Sequence, residues 1–125
     1  MKTRKRLGAE ARREKAIQRL GADEPKCCVC GESDPRCLQL HHIAGKAFGD
    51  ERAIVCANDH CRATDMQKDH PDPLGHTRNK IECIAHFLLG LADLLDLVVV
   101  KLKEFALYLI EEVAPRFSDE GGAAA

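Results

Sequence analysis

The strongest periodic pattern of apolar residues lies in the C-terminal third of the chain, where they recur at alternating spacings of three and four. This is the heptad seam of a coiled-coil or bundle helix. Further apolar side chains widen the stripe beyond a two-stranded seam. The pattern predicts a long amphipathic helical region over residues 81–114, either one helix or a helical hairpin folded back at Gly90 or near Lys101, followed by a flexible tail over 115–125. The seam consists of Ile81, Ile84, Leu88, Leu91, Leu95, Val98, Leu102, Phe105 and Leu109.

Such a helix cannot bury its apolar surface by itself, and the sequence leaves three ways to cover it. The helix packs in the protein's own core, it associates with a second copy or a partner protein through residues 81–113, or it enters a membrane. A membrane is the least favoured of the three, because charged side chains recur along the segment and each is costly in hydrocarbon. These charged residues are Asp93, Asp96, Lys101, Lys103 and Glu104.

A shorter pattern near the start of the chain predicts a basic helix over residues 9–20. Apolar Ala16, Ile17 and Leu20 alternate there with arginine and lysine, and Gly21 follows as a stop signal. We therefore separate residues 1–26 as a basic N-terminal arm that contains this helix.

Glycine and proline divide the middle of the chain into turns and short elements. The alternation of apolar and polar side chains predicts short strands over residues 37–42 and 53–56. A helix is predicted over residues 58–68, capped by the side chain of Asn58 or Asp59. The middle of the chain is thus predicted to be a β-hairpin followed by a helix.

The pattern as a whole predicts an α+β fold. A small ββα core over residues 27–80 is flanked by the basic N-terminal helix and by the long apolar C-terminal helix or hairpin. At 125 residues the chain has the size of one domain. The core has few apolar residues of its own, so we expect a cross-link or a metal to hold it.

The net charge of −1 conceals a gradient along the chain. Residues 1–26 carry nine basic and four acidic side chains, whereas residues 81–125 carry three and eight. The basic arm can therefore bind phosphate, and the acidic end should not. The basic residues that could contact a nucleic acid are Arg4, Lys5, Arg6, Arg12, Arg13, Lys46 and Arg52.

Seven cysteines and six histidines make the chain rich in metal-binding side chains. The opening MKTRKRLG is followed by no apolar signal-type run, so we expect a cytoplasmic protein whose cysteines stay reduced. Cys27 and Cys30 form a Cys-x-x-Cys-Gly knuckle, which provides half of a tetrahedral zinc site. Cys56 is the natural third ligand, and either Asp59 or Cys61 is the fourth. The sequence thus predicts structural Zn²⁺ in the middle of the chain.

Two neighbouring histidines, His41 and His42, end the first predicted strand. Adjacent residues of a strand face opposite sides, so the two cannot have the same task. One can bind a metal while the other stays free to deprotonate water. Another histidine, His60, lies beyond the second predicted strand.

The order of these motifs resembles the HNH nuclease family in its zinc-stabilised form. The cysteine knuckle is followed by LQLHHIAG, which contains the histidine pair, and then by IVCANDH, which ends at His60. The resemblance implies a ββα-metal fold in which His41 and His60 hold a divalent ion and His42 is the general base.

The chain departs from the family pattern at two motif positions. Glu51 stands where the family has an asparagine that orients the general base. Asp59 stands where the family has the fourth zinc-binding cysteine. The resemblance therefore implies catalytic roles for His42 and Glu51, with a carboxylate in place of an amide.

We therefore expect a metal-dependent endonuclease that hydrolyses DNA phosphodiester bonds, with structural Zn²⁺ and a catalytic Mg²⁺, Mn²⁺ or Zn²⁺ ion. The expected substrate is double-stranded DNA, because one tyrosine and four phenylalanines offer little surface for stacking on single strands. The alternative is a catalytically degenerate HNH-like zinc module that binds DNA or assembles with a partner through its C-terminal helix.

Overall fold

The computed structural model describes residues 6–124, with side chains as far as residue 116, so Arg4 and Lys5 of the basic arm lie outside the described residues. A two-stranded antiparallel sheet is combined with three helices, the last of them long, which gives a mixed α/β fold. The elements in chain order are α1 (Ala9–Leu20), a 3₁₀ turn (Pro35–Cys37), β1 (Leu38–His42), β2 (Arg52–Cys56), α2 (Ala57–Gln67) and α3 (Lys80–Ala124).

Helix α1 has the bounds that the sequence predicts. It ends because Gly21 adopts a left-handed conformation with φ of 71° and donates its backbone N–H to the carbonyl oxygens of Ile17 and Gln18. Leu20 is buried, and the Arg19 guanidinium donates to the backbone oxygen of Leu38 at 3.0 Å. Helix α1 is thereby held against the start of the hairpin.

The hairpin β1–β2 pairs Leu38 with Cys56 at one end and His42 with Arg52 at the other. Leu38 and Val55 have no exposed surface and form the centre of a small core. Residues of α1, the cysteine knuckle, α2 and α3 complete this core, so every helix contributes to it. They are Leu20, Cys27, Val29, Ala63 and Leu94.

Helix α3 is one continuous helix, so the alternative of a hairpin folded back at Gly90 or Lys101 is wrong. It also extends beyond residue 114, where the sequence predicts a tail, and reaches Ala124. Its buried face carries Glu82, His86, Gly90 and Leu94, spaced one helical turn apart.

Eight of the nine seam residues of α3 are exposed away from this buried face, and the ninth, Val98, is half-buried against the core. Ile81 is 77% exposed and Leu102 is 63% exposed. The sequence-based alternative in which the seam packs in the protein's own core is therefore wrong. The physical reason is that α3 approaches the hairpin through its small and polar face, where Gly90 lets the helix backbone lie against the loop after β1.

Polar contacts join the segment between α2 and α3 to the first half of α3. His70 Nε2 lies 2.6 Å from Asp93 Oδ2, and the backbone N–H of Leu74 donates to Glu82 at 3.0 Å. The ring of Phe48 stacks on that of His86 with a centroid separation of 3.6 Å. The first half of α3 is thus fixed to the ββα core.

Candidate metal centre and adjoining histidine pair

The cysteine knuckle is a tight turn beside the end of the hairpin. Gly31 donates its backbone N–H to the carbonyl oxygen of Cys27 at 3.0 Å and adopts a φ of 79°. Such a positive φ suits glycine, because a Cβ there would be strained. Cys28 donates its backbone N–H to Ile54 on β2, which anchors the knuckle to the strand that leads to Cys56.

The second half of the cluster comes from the junction of β2 and α2. Cys56 ends the strand and caps the helix, because its Sγ accepts the backbone N–H of Asp59 at 3.4 Å. The prediction that Asn58 or Asp59 caps α2 is therefore wrong. One helical turn separates Cys56 from Asp59 and directs both side chains toward the knuckle.

The four side chains Cys27, Cys30, Cys56 and Asp59 bring their ligand atoms within 4.8 Å of one another and could hold a metal ion. Asp59 Oδ2 lies 3.3 Å from the sulfur of Cys27 and 3.1 Å from that of Cys56. The sulfurs of Cys30 and Cys56 are 3.8 Å apart. Three sulfurs and one carboxylate oxygen at such spacing fit a tetrahedral site.

Protonation in this cluster follows from burial and hydrogen bonding. Burial raises the pKa of Cys56 to about 12 and also raises the pKa of Cys30. Burial also acts to raise the pKa of Asp59, but hydrogen bonds from Cys56, Cys27, Cys30 and Arg62 outweigh it and lower that pKa. The thiols of Cys30 and Cys56 therefore carry protons that a cation would displace.

Asp59, and not Cys61, completes the cluster. Asp59 is 1% exposed, and its second oxygen accepts a hydrogen bond from Arg62 at 3.0 Å. Cys61 is exposed and lines a separate cavity together with Gln39 and His60. Cys28 is exposed as well and lies outside the cluster.

A pair of histidines lies next to this cluster. His41 on β1 and His60 on α2 contact each other edge to face, with ring centroids 5.3 Å apart. His41 is 2% exposed, and its burial, with smaller contributions from His60 and His42, lowers its pKa to about 4. His41 is therefore an unprotonated imidazole at neutral pH, which is the form that binds metals.

Two glutamines that the sequence analysis missed position this pair. The side-chain oxygen of Gln39 lies 2.5 Å from Nδ1 of His60. The amide nitrogen of Gln67 donates to the backbone oxygens of His42 and Ile43 and lies 3.4 Å from Nε2 of His41.

The spacing of these two glutamines from His41 and His60 could have predicted that they lie on the same faces as the histidines. Gln39 is two residues before His41 and shares its strand face. Gln67 is seven residues, or two helical turns, after His60 and shares its helix face.

The other predicted catalytic residues lie at the edge of the pair. His42 is half-buried at the end of β1, opposite the exposed Arg52 in the hairpin register. Glu51 lines a cavity with Phe48, Lys80 and residues of α3. Among the described residues Glu51 makes no side-chain hydrogen bond to His42, so the structure does not bring the two predicted catalytic residues into contact.

The basic residues predicted to contact a nucleic acid are dispersed. Arg6, Arg12 and Arg13 are exposed in and before α1. Lys46 is exposed in the hairpin loop, beside a cavity that also contains Gln67 and His70. Arg52 is paired with His42 across the hairpin, at the end of β1.

Comparison with protein-family models, with curated proteins and with solved structures finds no match to this chain.

Proposed function

We propose that the protein is a metal-dependent endonuclease of the HNH type that hydrolyses phosphodiester bonds of double-stranded DNA in the cytoplasm. The observation that carries the proposal is the contact between His41 on β1 and His60 on α2, whose ring centroids are 5.3 Å apart. The sequence resemblance assigns the same two residues to one divalent ion. The contact between two side chains nineteen positions apart in the sequence supports that assignment.

The Cys27, Cys30, Cys56 and Asp59 cluster is proposed to hold structural Zn²⁺. Three sulfurs and a carboxylate oxygen suit zinc better than Mg²⁺ or Ca²⁺, which prefer oxygen ligands. The ion would join the knuckle to the start of α2. Because His60 directly follows Asp59, the same ion would fix His60 in front of His41.

His41 and His60 are proposed to hold the catalytic ion, Mg²⁺, Mn²⁺ or Zn²⁺. Such an ion would stabilise negative charge on the phosphate and the leaving oxygen. His42 is proposed to take the proton of the attacking water. The resemblance assigns Glu51 to orient His42, and that role would need Glu51 to turn toward it, because no hydrogen bond joins the two side chains. Arg52, which is paired with His42 across the hairpin, would contact a neighbouring phosphate and position the DNA without reading its sequence.

The test is cleavage of supercoiled plasmid by the zinc-loaded protein with added Mg²⁺ or Mn²⁺. The wild type should convert plasmid to the nicked or linear form, and His42→Ala should slow the reaction at least about 100-fold, as expected for loss of a general base. His76→Ala is the matched control, because His76 is exposed in the segment before α3. A wild type that leaves plasmid intact with both ions contradicts the proposal.

A degenerate zinc module that binds DNA, or assembles with a partner through α3, is the second candidate, and the burial of His41 favours it. The ring is 2% exposed and its Nε2 faces the amide nitrogen of Gln67, which is a hydrogen-bond donor and not a metal ligand. A mobility shift with duplex DNA separates the two candidates. Binding without cleavage supports the module, and cleavage that depends on His42 supports the enzyme.

A further inference from the structure

The heptad seam of α3 presents an exposed apolar surface along most of the described part of the helix. Eight of its side chains are exposed, from 37% at Leu91 to 77% at Ile81. Charged and polar groups of α3, such as Glu82 and Asp93, lie on the other face, where they contact the segment before the helix. Apart from Val98, which packs against the core, the seam residues have no segment of the described chain packed over them.

The size of this face matches that of a protein interface. The exposed fractions of the eight side chains add up to between four and five fully exposed large apolar residues. That is on the order of 800 Å², the area that each partner buries in an interface of standard size. One helix face of this chain is thus large enough for a stable dimer.

A lipid bilayer does not fit this helix, although Lys80–Arg116 is long and apolar enough to cross one. The first half of the helix is fixed to the polar core through Gly90, through Leu94 and through the pair of Asp93 with His70. If the first half of α3 entered a bilayer, the polar core would have to enter the bilayer as well. The second half carries Lys103 and Glu104 and is too short and too charged to span by itself.

We propose that two copies of the chain associate through this seam, with their α3 helices antiparallel. In an antiparallel pair the a positions of one helix face the d positions of the other. One register pairs apolar residues in every layer between Ile84 and Leu109, where the paired residue numbers add to 193; Ile81, at the end of the seam, comes level with the partner's Glu112. The layers are Ile84 with Leu109, Leu88 with Phe105, Leu91 with Leu102, and Leu95 with Val98, each formed twice by symmetry.

The residues beside the seam suit the same register. On one side Ala85 flanks the partner's Ala106 and Ala92 flanks the partner's Val99, each offset by two residues from the layers, so small side chains let the helices approach. The partner's Ile110 also comes level with an open apolar cavity of about 740 Å³ between α3 and the preceding segment. This cavity is lined in part by Leu74, Ile81, Ala85 and Leu89.

Charge favours the antiparallel arrangement over the parallel one. Lys80 begins α3, and in the proposed register the partner's Glu112 comes within one residue of it, level with Ile81. A parallel pair would instead place Glu112 beside its own copy, which is unfavourable between neighbouring like charges.

The first experiment measures the molar mass of the full chain by light scattering across a range of concentrations. We expect twice the 13.8 kDa of the chain for the wild type and 13.8 kDa for Leu102→Glu. Leu102 is 63% exposed, so a charge there leaves the fold of one copy intact. The matched control is Leu7→Glu, which charges a leucine that is 44% exposed ahead of α1 and should leave the dimer unchanged. A monomeric wild type, or a Leu102→Glu variant that stays dimeric, overturns the proposal.

The second experiment tests the register with two complementary variants. Leu88→Glu and Phe105→Lys should each be monomeric alone, and an equimolar mixture should recover the dimer, because Glu at 88 then faces Lys at 105. A parallel pair would place these residues in different layers, so recovery supports the antiparallel register and its absence overturns it. As a check on the lipid alternative, co-sedimentation of the wild type with vesicles of phosphatidylcholine and phosphatidylglycerol would overturn the proposal, and failure to co-sediment supports it.

Discussion

The backbone of α3 at Gly90 lies so close to the carbonyl oxygen of Ile43 that this oxygen fills the space a Cβ would need. Ile43 directly follows the histidine pair at the end of β1, and its carbonyl oxygen also accepts a hydrogen bond from Gln67. The long helix therefore supports the strand end that carries His41 and His42. Any side chain at Gly90 would push that strand end away from α3.

Replacing Gly90 by alanine should destabilise the protein, although alanine is the better helix former by about 1 kcal/mol. The overlap with Ile43 outweighs this gain, and we expect a loss of about 2 kcal/mol in the free energy of unfolding, as for other overpacked cores. Urea unfolding followed by circular dichroism measures it. Gly75→Ala is the control, because a Cβ at Gly75 meets nothing within 4 Å. A Gly90→Ala variant as stable as the wild type contradicts the close approach.

The elements of this fold were largely predictable because local signals agree with the tertiary structure. Helix α1 ends at Leu20 because Gly21 supplies a left-handed cap, and that signal is visible in the sequence. Strands β1 and β2 and helix α2 fall within one residue of their predicted bounds. The cap of α2 was missed because a cysteine thiol, Cys56, takes the place of the usual oxygen.

The direction in which α3 faces was not predictable, because a heptad seam looks the same whether it faces a core or a partner. The residue that marks the face of α3 packed on the core is Gly90. It allows the helix to approach Ile43, which is far away in sequence, so the sequence around Gly90 does not reveal this contact. The glutamines Gln39 and Gln67 were missed for a similar reason. Their spacing places each on the same face as a histidine, but each gains its role through a contact between the hairpin and α2, which the spacing does not specify.

Removing the proposed zinc ion should unfold the ββα core, because the binding energy of a structural zinc ion is on the order of 10 kcal/mol and contributes directly to folding. We expect chelation to abolish the cooperative unfolding transition. Cys27→Ser and Cys56→Ser should lose both the metal and the fold, as measured by elemental analysis and circular dichroism. Cys28→Ser and Cys61→Ser are matched controls outside the cluster and should keep both. A wild type that is folded and free of metal contradicts the prediction.

The identity of the fourth ligand can be read from the absorption spectrum of the cobalt-substituted protein. Sulfur-to-cobalt charge transfer grows with the number of thiolate ligands, so Asp59→Cys should raise its intensity by about one third, from three thiolates to four. Asp59→Ala should bind cobalt more weakly, whereas Cys61→Ser should have the wild-type spectrum. A changed spectrum in Cys61→Ser would instead assign Cys61 as a ligand.

His41 should remain unprotonated well below the pH at which free histidine gains its proton. Burial lowers its pKa to about 4, compared with about 6.5 in an unfolded chain. Between these values the unfolded chain binds a proton that folded His41 does not, so stability falls as pH decreases from about 6.5 to 4, by about 3 kcal/mol in total. Ring nitrogen shifts measured by NMR at pH 5.5 should be those of neutral imidazole. A His41 ring that is mostly protonated at that pH contradicts the buried placement.

The most direct test of the proposed catalytic site is Mn²⁺ binding to the zinc-loaded protein, followed by paramagnetic broadening of its NMR signals. Wild type should bind one Mn²⁺ ion per chain, with broadening centred on His41, His60 and Gln39. His60→Ala should abolish the binding, and the exposed His76→Ala should not affect it. A wild type that shows no more Mn²⁺ binding than His60→Ala would contradict the account.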